Sequence, residues 1–218
     1  MKRFALPALT ACAIFAAVSG AQAKVPPEGL QLCGASVCVH LTVEEAAVIL
    51  AGGGEVGRPL RDPSPFYVLR WRWSASAPEQ IAYFVPAAHA LRWPTASGHS
   101  AVWTRMGGTA AGSIEAAAEG LAPYAATPPT AVIVGTKQAR GPETYFRLLR
   151  GPVAGLAPVT IWIPVRMHSD PMSPWSDAHS EIRISARGRS RLVMVDGWVH
   201  RVPLWIANRA RRGLPLSP

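Results

Sequence analysis

The sequence has few of the residues, and none of the short motifs, that mark common enzyme classes. Only three of its 218 residues are cysteine and 13 are acidic, and a chain of this length can bury a sizeable core without a disulfide framework. It contains no His-Glu-x-x-His, no phosphate loop and no dinucleotide fingerprint. Ser100 lies in Gly98-His-Ser-Ala-Val102, where valine replaces the second glycine that a serine elbow requires. These absences exclude enzyme classes defined by such motifs, although not enzymes in general.

A signal peptide is predicted over residues 1–23. Two basic residues at the start, a weakly apolar run over residues 4–18 and small residues just before position 24 match the three zones of such peptides. They predict cleavage between Ala23 and Lys24, and the apolar run is too short for a membrane span. A lipoprotein signal with anchoring at Cys12 is the second interpretation. We therefore expect a secreted or envelope-associated protein.

Positive charge is concentrated near the C-terminal end. Lysine is scarce, at positions 2, 24 and 137, so arginine supplies most of this charge. Removal of the signal peptide leaves 20 basic and 13 acidic residues, a formal charge of +7, and residues 181–218 hold eight arginines against two acidic residues. An exported basic surface attracts anionic polymers or headgroups through long-range electrostatics. The candidate anion-binding residues are Arg209, Arg211 and Arg212, and a merely solvated basic face is the alternative.

Two cysteines remain after the predicted cleavage, Cys33 and Cys38. In an oxidising compartment an intramolecular disulfide is the expected state, and the four-residue spacer closes easily. A metal pair lacks the second pair of cysteines that it normally needs, and a redox dithiol normally has two intervening residues. A structural disulfide between Cys33 and Cys38 is therefore predicted.

Helices are predicted where start and stop signals occur together. Thr42 followed by Glu45 is a capping box, and the glycines at positions 52–54 permit a left-handed exit from that helix. A second helix is expected over residues 114–121 and a third over residues 204–212, where a proline precedes the first residue and a glycine follows the last.

Strands are predicted from alternating patterns. Phe66–Trp73 places aromatic residues on one face and arginines on the other, which indicates a half-buried strand, and residues 81–85 return as its hairpin partner. The aromatic face is interpreted as core, with a carbohydrate-stacking platform as the alternative. Asp196-Gly197 between two further runs predicts a tight hairpin turn. Residues 158–167 form a strand in which Pro164 indicates an edge or a bulge.

These elements predict an α+β fold with antiparallel hairpins, several short helices and one disulfide. The proline-rich stretch at residues 121–130 is the predicted linker between two halves. The first half comprises residues 24–120, and the second comprises residues 131–218 with the Asp196-Gly197 hairpin and the arginine-rich helix.

One loop contains the densest group of potential metal ligands: His168, Asp170, Asp177, His179 and Glu181. Imidazole and carboxylate groups from two strand ends can converge on a divalent metal and leave a water free for hydrolysis. The spacing matches no established motif. A polar loop in which Asp and Ser cap turns is the interpretation we prefer.

Several short segments along the chain carry a resemblance. Besides the signal peptide and the Cys33-Gly34 and Cys38 pair, they are Tyr83–Pro86 through Leu91-Arg92, Gly120–Pro123, Ser173-Pro-Trp175, and the Asp196-Gly197 turn before an arginine-rich helix. Together they resemble a group of exported proteins of unknown function from high-GC actinobacteria, over most of the chain after the signal peptide. The resemblance implies export and supplies no catalytic residues.

From these patterns we expect a non-catalytic envelope or extracellular module, without a cofactor, that binds an anionic polymer or a protein partner. Nucleic acid is not the expected ligand, because export separates the protein from it. A metal-dependent hydrolase using the loop from His168 to Glu181 is the alternative function.

Overall fold

A computed structural model describes residues 27–52, 54, 56–57, 60, 63–93, 101–156, 161–170, 173–176 and 180–217. The predicted signal peptide, the alternative lipid site at Cys12 and the candidate ligands Asp177 and His179 lie outside these residues. No helix in the described ranges is long and apolar enough to cross a membrane.

Seven strands of the first half form one antiparallel sheet. They are β1 (Glu28–Cys33), β2 (Cys38–His40), β3 (Val56–Gly57), β4 (Tyr67–Arg72), β5 (Gln80–Val85), β6 (Ala90–Trp93) and β7 (Val102–Arg105). Their order in the sheet is β2-β1-β4-β5-β6-β7-β3. Helices α1 (Val43–Ala51) and α2 (Gly108–Ala117) belong to the same half, as does a short 3-10 segment at Pro86–Ala88.

Seven strands of the second half form another antiparallel sheet. They are β8 (Ala131–Val134), β9 (Lys137–Gln138), β10 (Val153–Leu156), β11 (Trp162–His168), β12 (Ile182–Ser185), β13 (Leu192–Val195) and β14 (Trp198–Arg201). Their order is β10-β14-β13-β12-β11-β8-β9. A 3-10 segment, Pro142–Leu148, and helix α3, Leu204–Arg211, complete this half. The α+β class with antiparallel pairing is confirmed.

The central strands of the first sheet are buried on both faces. One face packs against the two helices, with Tyr67 and Leu69 of β4 in a cluster that includes Ile49 of α1 and Ile114 of α2. The other face, including Val68, packs in a cluster with the second sheet. The prediction that β4 is half-buried is therefore wrong over its first residues, since its side chains are buried on both sides there.

One hydrophobic core joins the two sheets. It contains side chains from the first sheet, from the inner face of the second sheet and from α3: Phe66, Val68, Tyr83, Trp103, Val165, Ile182, Ile184, Val193, Ile206 and Ala210 among others. Two packed layers thus exclude water from a common interior. The helices α1 and α2 add a third layer on the far side of the first sheet.

The segment predicted as a linker crosses from the first sheet to the second and packs as it does so. Phe66 and Tyr124 exchange backbone hydrogen bonds of 3.1 and 2.8 Å, and their rings stack with centroids 5.3 Å apart. Ala35 N donates to Ala122 O at 2.8 Å. The segment therefore connects the two sheets through ordered contacts with the first one.

Three local predictions are confirmed. Thr42 and Glu45 form the capping box of α1, with Thr42 N donating to Glu45 Oε2 at 2.7 Å and Glu45 N donating to Thr42 Oγ1 at 3.2 Å. Cys33 and Cys38 form a disulfide between paired residues of β1 and β2. Asp196 and Gly197 connect β13 to β14 with φ angles of 49° and 84°, the left-handed geometry of a tight hairpin turn.

Other local predictions are wrong. Helix α2 spans Gly108–Ala117 rather than the predicted residues 114–121. Ser113, which directly precedes the predicted start, lies inside the helix and donates its hydroxyl to Thr109 O at 3.0 Å. Gly52 ends α1 with a φ of −74°, so the left-handed exit predicted for the glycines at 52–54 does not occur at Gly52. Gly53 lies outside the described residues, and for it the exit stays a prediction. Pro164 lies on β11, which is paired on both sides by β12 and β8 rather than at an edge.

Candidate functional site

Asp196, in the hairpin turn at one end of the second sheet, is buried against the first sheet. Asp196 accepts hydrogen bonds from Trp103 Nε1 at 3.2 Å, Ser180 Oγ at 3.1 Å and the Glu181 backbone N at 3.0 Å. Its Oδ2 lies 3.5 Å from an Nη2 of Arg92, and both side chains are almost fully buried. Burial lowers the pKa of the Arg92 guanidinium, and the Asp196 carboxylate opposes that shift. This buried ion pair connects the two sheets and is closed to ligands.

The opposite end of the second sheet carries exposed arginines. The connection from β12 to β13 contains Arg187, Arg189 and Arg191, all exposed. Arg201 ends β14 and pairs with Leu192, and Val202 N donates to Arg191 O at 2.9 Å. These contacts place Arg201 beside the start of β13, at the same end of the sheet as the connection.

The three arginines predicted from the sequence lie at the end of α3, against this connection. Arg211 donates to the backbone oxygens of Ser185 at 3.0 Å, Ser190 at 3.0 Å and Gly188 at 2.8 Å, and burial lowers its pKa. Arg209 donates its Nε–H to the Pro215 carbonyl. Arg212 is exposed. Arg209 and Arg211 therefore donate hydrogen bonds to backbone oxygens of the protein itself. Through these bonds Arg211 attaches the β12–β13 connection to α3.

We call Arg187, Arg189, Arg191, Arg201 and Arg212 the arginine rim. No acidic residue occurs in the stretch 182–195 that supplies three of them. The excess of basic residues extends over the whole second half. Residues 131–218 contain 13 basic and 5 acidic residues, whereas residues 24–130 contain 7 basic and 8 acidic residues. The excess positive charge of the protein thus belongs to the second half. At the arginine rim, five of these positive charges are exposed.

A groove of about 490 Å³ lies next to the arginine rim, on the face of the second sheet that points away from the core. Trp162, Pro164, Arg166, Glu181 and Arg183 contribute to its lining. Along β11 the alternate residues Val165 and Met167 are buried in the core, which directs Pro164 and Arg166 outward.

The groove runs toward the arginine rim. Trp162 pairs with Ser185 in the β11–β12 ladder, and Ala186 N donates to Ile161 O at 2.9 Å. Arg187 follows Ala186 directly, so the tryptophan end of the groove meets the first arginine of the rim. Arg183 donates a hydrogen bond to Glu181 within the groove. The groove and the arginine rim are therefore neighbours at this end of β11 and β12.

Sequence patterns did not single out Trp162, Arg166 and Arg183 as site residues. They alternate with apolar residues along β11 and β12. This alternation identifies them as outward-facing only once the apolar face of each strand is known to be the core. Of the aromatic face considered as a carbohydrate platform, Tyr67 and Trp71 are instead buried in the cluster with the helices, and Trp73 is exposed.

The predicted metal ligands that are described do not form a site. His168, the last residue of β11, and Asp170 are both exposed, and Thr130 N donates to the His168 carbonyl at 2.8 Å. Within the described part of the chain, no group of three His, Cys, Asp or Glu side chains is placed to hold a metal ion. The participation of Asp177 and His179 stays a prediction because they lie outside that part.

One histidine has an acid partner that the sequence did not reveal. His89 Nε2 lies 3.2 Å from Glu115 Oε1 of α2, and both side chains are about half exposed. His89 has a left-handed φ of 44° after the 3-10 segment, and its carbonyl accepts from Met106 N at 2.8 Å. This pair joins the β5–β6 connection to α2 at the surface.

Comparison with protein families, with curated proteins and with solved structures found no match to this chain. Functional inference therefore rests on the chemistry of the surface itself.

Proposed function

We propose that this is an exported, non-catalytic module of the envelope or extracellular space that binds an anionic polymer on its arginine rim. The observation that carries the proposal is the placement of five exposed arginines at one end of the second sheet, with no acidic residue in the stretch 182–195. The predicted signal peptide supports an extracytoplasmic ligand.

Several like charges on one rigid end favour a polymer over a single small anion. One exposed ion pair contributes only about 0–1 kcal/mol, so affinity requires several contacts made at once. Neighbouring arginines within about one Debye length, roughly 8–10 Å, attract a polyanion jointly. A chain with regularly spaced negative groups meets this condition.

The fold keeps these arginines in place. The Arg211 guanidinium hydrogen-bonds three backbone oxygens of the β12–β13 region, and Arg211 Nη2 also donates to Asn208 Oδ1 at 2.8 Å. The connection is therefore attached to α3 rather than free at the end of a hairpin. Preorganisation of this kind lowers the entropic cost of binding.

The proposal is tested by co-sedimentation of the purified protein with isolated cell envelopes across a salt series. We expect pelleting at low salt that decreases steeply as salt rises. Arg187→Gln/Arg189→Gln should weaken binding about tenfold. The matched control is Arg72→Gln/Arg105→Gln, which removes two exposed arginines from the first sheet and should bind like the unmodified protein.

Salt-independent pelleting, or equal effects of the two double variants, would overturn the proposal. Protease treatment of the envelopes separates a polymer from a protein partner: binding that survives digestion supports the polymer, and binding that disappears identifies a protein and contradicts it.

A further inference from the structure

We infer that the groove beside the arginine rim binds the sugar rings of an acidic polysaccharide. The inference rests on the proposed function and specifies its ligand: a glycan carrying carboxylate groups. The carrying observation is the presence of a partly exposed tryptophan and two arginines in one groove that leads onto the rim.

Trp162 supplies an apolar surface in the groove. It is partly exposed, and its cross-strand partner Ser185 is small. Large aromatic rings combine apolar area with low conformational freedom, and the C–H face of a sugar ring is a flat apolar surface of similar extent. A ring stacked on Trp162 would remove apolar surface of both groups from water.

Arg166 and Arg183 supply the charge for carboxylates. Arg166 is exposed on β11, and Arg183 lies across the ladder opposite Pro164. Guanidinium groups bind carboxylates through two parallel hydrogen bonds. Glu181 accepts from Arg183 and limits its orientations, and a carboxylate next to it also offers an acceptor for sugar hydroxyls.

The mixture of groups distinguishes this ligand from other anions. Polyphosphate has no apolar ring that could stack on Trp162. An acidic peptide has carboxylates but no repeating flat ring. A glycan of uronic acids presents both at a regular repeat, and a groove of about 490 Å³ lies within the usual range for ligand sites.

The direction of the groove supports a linear ligand. Its tryptophan end adjoins Ala186, which Arg187 follows directly, so a chain that leaves Trp162 at this end is directed toward the arginine rim. The rim then supplies salt-dependent affinity, and the groove supplies selection for the sugar ring.

The inference is tested by titrating the purified protein with hexagalacturonate, with neutral maltohexaose and with polyphosphate, followed by calorimetry. We expect hexagalacturonate to bind at least about tenfold more tightly than maltohexaose. Trp162→Ala should weaken hexagalacturonate binding about tenfold and leave polyphosphate binding unchanged. Trp162→Phe should restore most of the loss, which excludes a folding defect as its cause.

Trp73→Ala is the matched control, because Trp73 is 48% exposed but belongs to the first half of the protein. It should bind hexagalacturonate like the unmodified protein. Arg166→Gln, a change at an exposed strand position, should weaken hexagalacturonate and spare maltohexaose.

Failure of this inference and failure of the proposed function give different results. If polyphosphate and envelopes bind through the arginine rim while Trp162→Ala leaves hexagalacturonate binding unchanged, the sugar site is overturned and the polymer function stands. If maltohexaose binds as tightly as hexagalacturonate, the acidic glycan is overturned. If no polyanion binds at low salt, both proposals are wrong.

Discussion

At the scale of single residues, Arg92 and Asp196 form the most deeply buried ion pair in the described part of the chain. Both groups are almost fully removed from water, and each has neighbours that offset part of that cost. Tyr83 and Trp103 lie against the guanidinium, each with its ring centroid 5.9 Å from Arg92 Cζ. Because both charges are buried, removal of one is expected to cost more than removal of both.

Asp196→Asn should lower the free energy of unfolding by about 3–5 kcal/mol, because it leaves the Arg92 charge buried without its counterion. Urea denaturation followed by tryptophan fluorescence measures the change. Glu119→Gln, which removes an exposed carboxylate after α2, should change stability by less than about 0.5 kcal/mol.

Arg92→Leu/Asp196→Asn should be less destabilised than Asp196→Asn alone, since the double variant buries no unpaired charge. Equal stability of Asp196→Asn and the unmodified protein would contradict the assignment of this pair as the main polar connection between the sheets.

Two buried tyrosines predict a loss of stability at high pH. Burial raises the pKa of Tyr83 and of Tyr145 to about 12, although the charges of Arg92 and Arg70 oppose the shift of Tyr83 and that of Arg209 opposes the shift of Tyr145. The unfolded chain releases these protons near pH 10. The folded state keeps them until about pH 12, so their contribution is complete below pH 10 and is lost between pH 10 and 12.

We expect the free energy of unfolding to fall above pH 10 by up to about 1.4 kcal/mol per pH unit for each tyrosine. Urea titrations at about pH 9 and about pH 11 measure the slope, and Tyr83→Phe/Tyr145→Phe should reduce it. An unchanged slope in the double variant would assign the alkaline loss to other groups.

At the scale of elements, the end of α1 is determined by its neighbour helix. A Cβ added to Gly52 would lie 2.3 Å from the Cβ of Ala110 in α2, so glycine allows the two helices to approach closely. The requirement is steric, because the φ of −74° suits any residue. By contrast, a Cβ added to Gly112 in α2 would meet nothing within 4 Å.

Gly52→Ala should therefore destabilise the protein by about 1–3 kcal/mol through overpacking. Gly112→Ala, the matched control in the facing helix, should stabilise it by about 0.5–1 kcal/mol through helix propensity. Thermal and urea unfolding of both variants measure the two effects. Destabilisation by both changes, or by neither, would contradict the close approach of α1 and α2.

The interior position of Pro164 also has an element-level cause. Pro164 O accepts from Gly135 N at 2.8 Å, just after the end of β8, so the side of the residue that lacks an N–H faces the β8–β9 turn. A residue's amide and carbonyl point to the same side of a strand, and the missing donor therefore falls where the ladder with β8 has ended. The pairing with β12 on the other side continues without interruption.

At the scale of the whole molecule, the two sheets share one core while their charges differ. The interior contains residues of both sheets, so neither sheet keeps its inner face covered without the other. The second half carries the excess positive charge. A nearly neutral half and a basic half thus share one core.

The shared core predicts a single cooperative unfolding transition. Urea curves from far-UV circular dichroism, near-UV circular dichroism and tryptophan fluorescence should coincide. Two resolved transitions would show that the halves on either side of residues 121–130 are independent units, in spite of the contacts between Phe66 and Tyr124.

Features that depend on a few neighbouring residues were predictable from the sequence. The capping box of α1, the Cys33–Cys38 disulfide and the Asp196-Gly197 turn each involve groups at most five positions apart, and their chemistry acts whatever the rest of the chain does. The α+β class followed because hydrophobic periodicity and these end signals are also local.

Other features depended on which elements meet in space. The burial of both faces of β4, the glycine at the end of α1 and the interior position of Pro164 are set by helices and strands distant in sequence. The site belongs to this class: the sequence indicated a basic C-terminal end, but the tertiary structure engaged Arg211 in hydrogen bonds to the β12–β13 connection and placed Trp162 beside the arginine rim. Packing decided this, because a side chain's role follows from which face of its element is excluded from water.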